Sequence, residues 1–157
     1  MKITVINTGV TKEAYLKKGI EEFEKRILHY LPFEMIYLKE PKNAKGRSEV
    51  LVKQAEGLLI KQAMYKIDYP VLLDVEGKPY TSQDFSAFIQ QKMNRGVKNL
   101  GFIIGGSYGF SDEVYQMATE RISISQMTFS HQMIRLIFLE QLYRAFTIIN
   151  GEPYHHA

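Results

Sequence analysis

Two stretches of this chain carry residues whose types and spacing suit chemistry. The first is Gly105-Gly106-Ser107-Tyr108-Gly109, which satisfies G-x-S-x-G directly after the apolar run Leu100 to Ile104. That spacing can present a serine on a sharp strand-to-helix turn, as serine hydrolases do. A hydrolase also needs an acid and then a histidine later in the chain. Asp112 follows too soon to orient one. A serine hydrolase using Ser107 therefore stands as the alternative function. Two other readings of the same residues stay open: a glycine loop that brings backbone close to a ligand, or a tight turn. The second stretch runs from Ser125 to Asn150. It starts as a short polar loop, Ser125 to Ser130, and continues as the longest apolar-periodic segment of the protein.

The histidines are few: His29, His131, His155 and His156. No pair has the spacing of a zinc-binding helix, so no metal is expected. His29 reads as a helix-end or surface residue. His131 sits where the polar loop becomes a helix. Tyr154-His155 is either a frayed tail or an aromatic-imidazole pair able to stack on and hydrogen-bond a base. Along the final helix, Glu140, Arg144 and Thr147 fall on one narrow stripe at 100° per residue. Arg144 there is either half of an i, i+4 pair with Glu140 or a contact to phosphate or base. The other sides carry Ile134, Leu136, Phe138, Leu142 and Phe146, a wider apolar arc than one buried face needs. Such a helix requires cover on more than one side, and a second subunit is one source of it.

The elements that must position these residues alternate. Lys2 to Asn7 reads as a strand, and Thr11 as the cap of a helix with Leu16, Ile20, Phe23, Ile27 and Leu31 inward, closed by Pro32. Phe33 to Lys39 is a second strand. Glu40 to Arg47 is a basic loop, read as a solvated connection in preference to a phosphate contact. Ser48 caps a helix with Leu51, Val52, Ala55, Leu58, Leu59 and Ala63 on its apolar side, weakened slightly by Gly57. Tyr69 to Val75 is a central strand followed by a turn at Glu76 to Pro79. Thr81 to Asp84 resembles a capping box before a helix with Phe85, Phe88, Ile89 and Met93 inward. Leu100 to Ile104 is a strand, Ser111 caps a short helix, and Arg121 to Ser125 is the last strand. Strands alternating with helices predict an α/β fold, one parallel sheet with helices on both faces, in a single domain spanning 1–157. Ligands of such sheets sit beyond the carboxyl ends of the strands. Three loops become candidates: those after Asp74, at Gly105 to Gly109, and at Ser125 to Ser130. The ordinary dinucleotide fingerprint is absent after the first strand.

The bulk numbers narrow the class. The 157 residues carry a net charge of +3 and no cysteine, which excludes disulfides and thiolate metal sites. A cytoplasmic protein is expected. The opening residues do not read as a signal peptide, and no apolar run approaches the roughly 18 residues of a membrane span. The mild positive charge tolerates a polyanionic partner without demanding one.

Three segments together narrow the reading further. I-I-G-G-S-Y-G-F, then S-I-S-Q-M-T-F-S-H-Q-M-I-R-L-I-F-L-E-Q-L-Y-R-A-F, then G-E-P-Y-H-H closely resemble the ribosomal RNA large subunit methyltransferase H family of SPOUT-class enzymes. M-K-I-T-V-I-N-T-G and L-L-D-V-E-G-K fit the same family, so the resemblance spans the chain. It implies a SPOUT-type α/β fold with a C-terminal trefoil knot and a homodimer. It implies S-adenosylmethionine (SAM) as methyl donor, bound by Leu73, Gly105, Gly106, Ser125, Gln126, Met127, Thr128, Phe129 and Ser130. The implied substrate is nitrogen 3 of a pseudouridine in the helix 69 region of 23S rRNA, within the assembled ribosome. His131, Arg144, Tyr154 and His155 are the implied substrate-side residues, the last three catalytic. One departure is clear: Ser130 stands where many members have proline.

Overall fold

A computed structural model describes residues 1–42 and 46–156 of the chain. Five parallel strands form one sheet: β1 (Lys2–Thr8), β2 (Phe33–Leu38), β3 (Tyr69–Pro79), β4 (Asn99–Ile104) and β5 (Glu120–Ser123), in the order β2-β1-β4-β3-β5. The helices are α1 (Ala14–Leu28), α2 (Glu49–Met64), α3 (Ser82–Asn94), α4 (Asp112–Met117) and α5 (Met133–Ile149). The predicted alternation is thus observed. Strand side chains point alternately to the two faces. Ile3, Val5, Val71, Leu100, Phe102 and Ile104 meet α1, α3 and α5, whereas Ile6, Leu72 and Ile103 meet α2 and α4. The wide apolar arc of α5 finds much of its cover inside the chain, between α1 and α3 and against Phe102 of the sheet.

The chain leaves β1 towards β2 on one side but reaches β3 and β5 on the other. The topological switch point therefore lies between β1 and β4, which are neighbours in the sheet. Crevices form at the carboxyl ends of strands at such points.

Several local expectations are corrected. Thr11 does not cap α1, whose N-cap is Glu13; the Thr11 hydroxyl is buried and accepts from Arg135 instead. Helix α1 ends at Leu28, before Pro32. The inner face of α2 carries Val52, Glu56, Gly57, Ile60 and Met64, leaving Leu51 and Leu58 exposed. Gly57 does more than weaken that helix: a β-carbon there would lie 2.4 Å from Ser111 Oγ, so the glycine lets the segment before α4 pack against α2. Met93 is exposed rather than inward. No turn interrupts the sheet at Glu76 to Pro79. Strand β3 runs through it with a shift in register, Leu73 and Lys78 both standing opposite Ile122 of β5. Gly77 makes this possible, because a β-carbon would sit 2.6 Å from the Ile122 backbone. The Ser48 and Thr81 caps form as expected, accepting from the amides of Leu51 and Asp84.

Candidate active site

A cavity of about 250 Å³ opens beyond the carboxyl ends of β3, β4 and β5. Its walls include Leu73 and Asp74 from β3, Ile104 to Ser107 from the end of β4, and Ile124, Ser125, Met127, Thr128, Phe129 and His131 from the segment leading into α5. The three loops singled out by position in the sequence thus converge. Of the nine residues the resemblance assigns to the methyl donor, seven line this cavity. Gln126 and Ser130 do not. Gln126 is exposed, and Ser130 Oγ accepts from the Met133 amide at 3.1 Å while its carbonyl accepts from Ile134. Ser130 thus supplies a hydrogen bond to the first turn of α5.

The glycines are needed for closeness. A β-carbon on Gly105 would lie 3.0 Å from the Phe110 ring, and one on Gly106 would lie 2.7 Å from both carboxyl oxygens of Glu56. Asp74 is the acid of the cavity, held by the Tyr115 hydroxyl, which donates to Oδ2 at 2.7 Å. Burial, and then that bond to a carboxylate, push the Tyr115 hydroxyl up to about 12. Among the described residues, no lysine or arginine lines the cavity. Apolar walls, close backbone and an absence of fixed cations fit a ligand that combines a flat ring with a positively charged sulfonium, which is the chemistry of SAM.

Ser107 and His131 meet, Oγ lying 3.3 Å from Nδ1. They do not form a hydrolase triad. Among the described residues, the hydrogen-bond partner of the other imidazole nitrogen is the Gln132 amide at 3.5 Å rather than a carboxylate. Helix α4 starts at Asp112, so Ser107 also lacks the immediate helix start of a nucleophile elbow. Burial, followed by the nearby Arg135 cation, holds His131 below its ordinary value and favours the neutral ring.

The remaining predicted residues gather elsewhere. Arg144 pairs with Glu140, and its guanidinium lies 4.9 Å from the centroid of the Tyr154 ring. The Tyr154 hydroxyl donates to Glu140 Oε1 at 3.1 Å. Arg144 Nη1 sits 3.3 Å from His155 Nδ1, and Gln83 Nε2 lies 2.9 Å from His155 Nε2. The chain end is therefore tied down. At about 1.5 Å per residue, Arg144 stands about 16 Å along α5 from Met133. Within one chain, His131 and the Arg144 cluster are not brought together.

Three functional-looking groups carried no sequence pattern. Arg135 is fully buried, donating to Thr11 Oγ1 at 3.0 Å and to the Thr8 carbonyl at 2.6 Å, and so ties α5 to the end of β1. Lys92 is buried against the Tyr69 and Phe88 rings, donates to the Tyr69 hydroxyl at 2.9 Å and approaches Glu120 at 3.4 Å. Glu56 is buried beneath the glycine loop. Among the described residues, no cluster of three His, Cys, Asp or Glu side chains could hold a metal. No helix there is long and apolar enough to cross a membrane.

Comparison with known proteins agrees with this geometry. A family model described as "Predicted SPOUT methyltransferase" matches residues 1–155. A protein of Parabacteroides distasonis named "Ribosomal RNA large subunit methyltransferase H" is 53% identical over 99% of each chain. One of the same name from Cytophaga hutchinsonii is 52% identical over 99% of this chain and 100% of its own. A probable methyltransferase of Bordetella pertussis Tohama I shares the fold, with a TM-score of 0.59 at 10% identity, covering 91% of this chain and 95% of that one. On its matching residues and its fold, this chain belongs to the SPOUT methyltransferase family.

Proposed function

We propose that the chain transfers a methyl group from SAM to nitrogen 3 of a pseudouridine in 23S rRNA, acting as a homodimer on the assembled ribosome in the cytoplasm. The observation that carries this reading is the glycine-walled, cation-free cavity of Leu73, Gly105, Gly106 and Ser125 to Phe129, in a chain about half identical to proteins named as rRNA methyltransferases.

When bound, SAM supplies a methyl group already activated on a sulfonium. The residues must then hold the acceptor ring in line and favour loss of its nitrogen-bound proton. Positioning of this kind is worth roughly 7–11 kcal/mol. Arg144 is suited to an anion forming on the ring or to a phosphate, since a planar guanidinium gives charge-assisted hydrogen bonds. The Arg144 contact has a consequence for His155. Arg144 Nη1 lies 3.3 Å from His155 Nδ1, so a substrate that draws the guanidinium away also frees this imidazole nitrogen.

The separation of the Arg144 cluster from the cavity supports the homodimer: a second copy brings its own Arg144, Tyr154 and His155 to the cavity of the first. A charge of +3 per chain is little with which to hold rRNA, so the ribosomal surface supplies the remaining recognition. The test is transfer from radiolabelled SAM to ribosomes of a strain lacking this gene, followed by mass spectrometry of the rRNA. One added methyl group on one pseudouridine is expected. Transfer to no ribosomal RNA overturns the proposal.

A further inference from the structure

A second cavity, of about 320 Å³, adjoins the first at the topological switch point between β1 and β4. Its lining includes Thr8 at the end of β1, Glu56 of α2, Arg47, Ser107, Tyr108 and His131. Gly106, Ser107 and His131 line both cavities, which meet there.

The second cavity holds polar atoms without partners. Four buried side-chain atoms lack a hydrogen bond among the described residues: Asn7 Oδ1, Thr8 Oγ1, Glu56 Oε2 and Arg135 Nε. Thr8 and Glu56 line this cavity. Asn7 precedes Thr8, and Arg135 donates to the Thr8 carbonyl. A buried polar group left without a partner is destabilising. Two of the four, Thr8 Oγ1 and Glu56 Oε2, belong to residues of one lining, which points to a ligand that meets them.

We propose that this second cavity receives the acceptor pyrimidine nucleotide, with Glu56 and Thr8 as positioning residues that hydrogen-bond its ring edge. This rests on the rRNA methyltransferase reading above. Pseudouridine, joined to its sugar through carbon, keeps a second ring N–H, at nitrogen 1, beside a carbonyl. Glu56 supplies the acceptor for that N–H and the Thr8 hydroxyl donates to the carbonyl, which leaves nitrogen 3 free to face the methyl donor. Tyr108, half exposed, offers a face for stacking, and Arg47, exposed on the lining, suits the phosphate. The shared lining sets the ring beside the methyl donor's cavity. In the transfer, the bond from sulfur to methyl breaks as the bond from nitrogen to methyl forms, and the nitrogen's proton leaves to a base or water.

Thr8→Val gives the cleanest test, because Thr8 Oγ1 has no hydrogen-bond partner among the described residues. Thermal stability and SAM affinity should stay unchanged, while kcat/KM on ribosomes falls about tenfold, the scale of one hydrogen bond. Glu56→Ala should lower kcat/KM more, again with SAM affinity unchanged, and Glu56→Gln, which keeps an acceptor, should recover most of it. Unchanged kcat/KM in Thr8→Val and Glu56→Ala overturns the proposal. So does a parallel loss of SAM binding, which would make Glu56 a support for the glycine loop. Glu56→Gln as impaired as Glu56→Ala overturns the hydrogen-bonding role in favour of charge. A second measurement is independent of activity and so separates failure here from failure of the methyltransferase reading. Pseudouridine 5′-monophosphate is titrated into isotope-labelled protein saturated with S-adenosylhomocysteine. Amide shifts should centre on Thr8, Glu56 and Gly106 to Tyr108. Shifts elsewhere only, no shifts, or the same shifts with inorganic phosphate alone would overturn it.

Discussion

Replacing Gly106 by alanine tests whether close approach of the glycine loop to Glu56 sets the shape of the cofactor cavity. The new methyl group would lie 2.7 Å from both Glu56 oxygens, whereas ordinary contact starts at 3.4 Å, so loop and carboxyl must part by about 0.7 Å (3.4 − 2.7). Glu56 is buried on the lining of the second cavity, so its carboxyl can yield only by shifting within that lining. Overpacking of this kind costs about 1–3 kcal/mol. If the loop yields and SAM requires its original position, that strain is charged to binding. Affinity then falls about 5- to 150-fold. Calorimetric titration with SAM reads the change directly. Gly105→Ala should do less, because its nearest neighbour is the edge of the Phe110 ring at 3.0 Å. The double variant Gly106→Ala/Glu56→Ala removes the atoms that clash and should bind SAM within about threefold of wild type, since coupled neighbours are not additive. A double variant as weak as Gly106→Ala alone would refute the steric reasoning.

Other expectations follow from the same contacts. Lys92→Met leaves Glu120 with only the Tyr69 hydroxyl and should destabilise the fold by about 1–3 kcal/mol in thermal unfolding, with SAM affinity unchanged. Arg144→Ala should leave SAM binding intact and lower single-turnover transfer at least about 100-fold, as loss of one preorganised charged donor does; transfer at the wild-type rate would remove Arg144 from the chemistry. Burial first, and then Glu40, hold the Glu56 carboxyl above its ordinary value, with His131 and Arg47 on the same lining. The unfolded chain therefore releases this proton at lower pH than the folded one. Stability linked to Glu56 is full below the unfolded value and is lost as pH rises through the folded one. Glu56→Gln should accordingly raise the melting temperature at pH 7.5, and the gain should vanish near pH 4. Whole ribosomes should be methylated much faster than naked 23S rRNA; equal rates would show that the ribosomal surface contributes no recognition.

The alternation of strands and helices was legible in the sequence because each strand is a short apolar run bounded by capping or turn residues. Position at the carboxyl ends of strands singles out the three loops of the cavity, whereas its seven individual residues, Leu73 of β3 among them, follow from the family resemblance. What escaped were features set by contacts distant in sequence. Arg135 lies 127 residues from Thr8, to which it donates, and within a helical pattern it looks like any surface arginine. Nothing in the local pattern of α2 marks Glu56 as buried; its packing beneath Gly106 does. The apparent turn at Gly77 was misread for a similar reason. A glycine that breaks a strand and one that lets a neighbouring strand come close look alike until the neighbour is known.

Helix α5 has His131 just before its first turn and Arg144 in its second half, so it works as a ruler as well as a wall. Deleting one residue between Leu136 and Tyr143 would shorten the span by about 1.5 Å and turn one end relative to the other by about 100°. Each end would keep its own partners, yet the two would no longer share a register. The length of that segment is therefore itself a constrained quantity. Substitutions within it can be absorbed by repacking against α1 and α3, but insertions and deletions cannot.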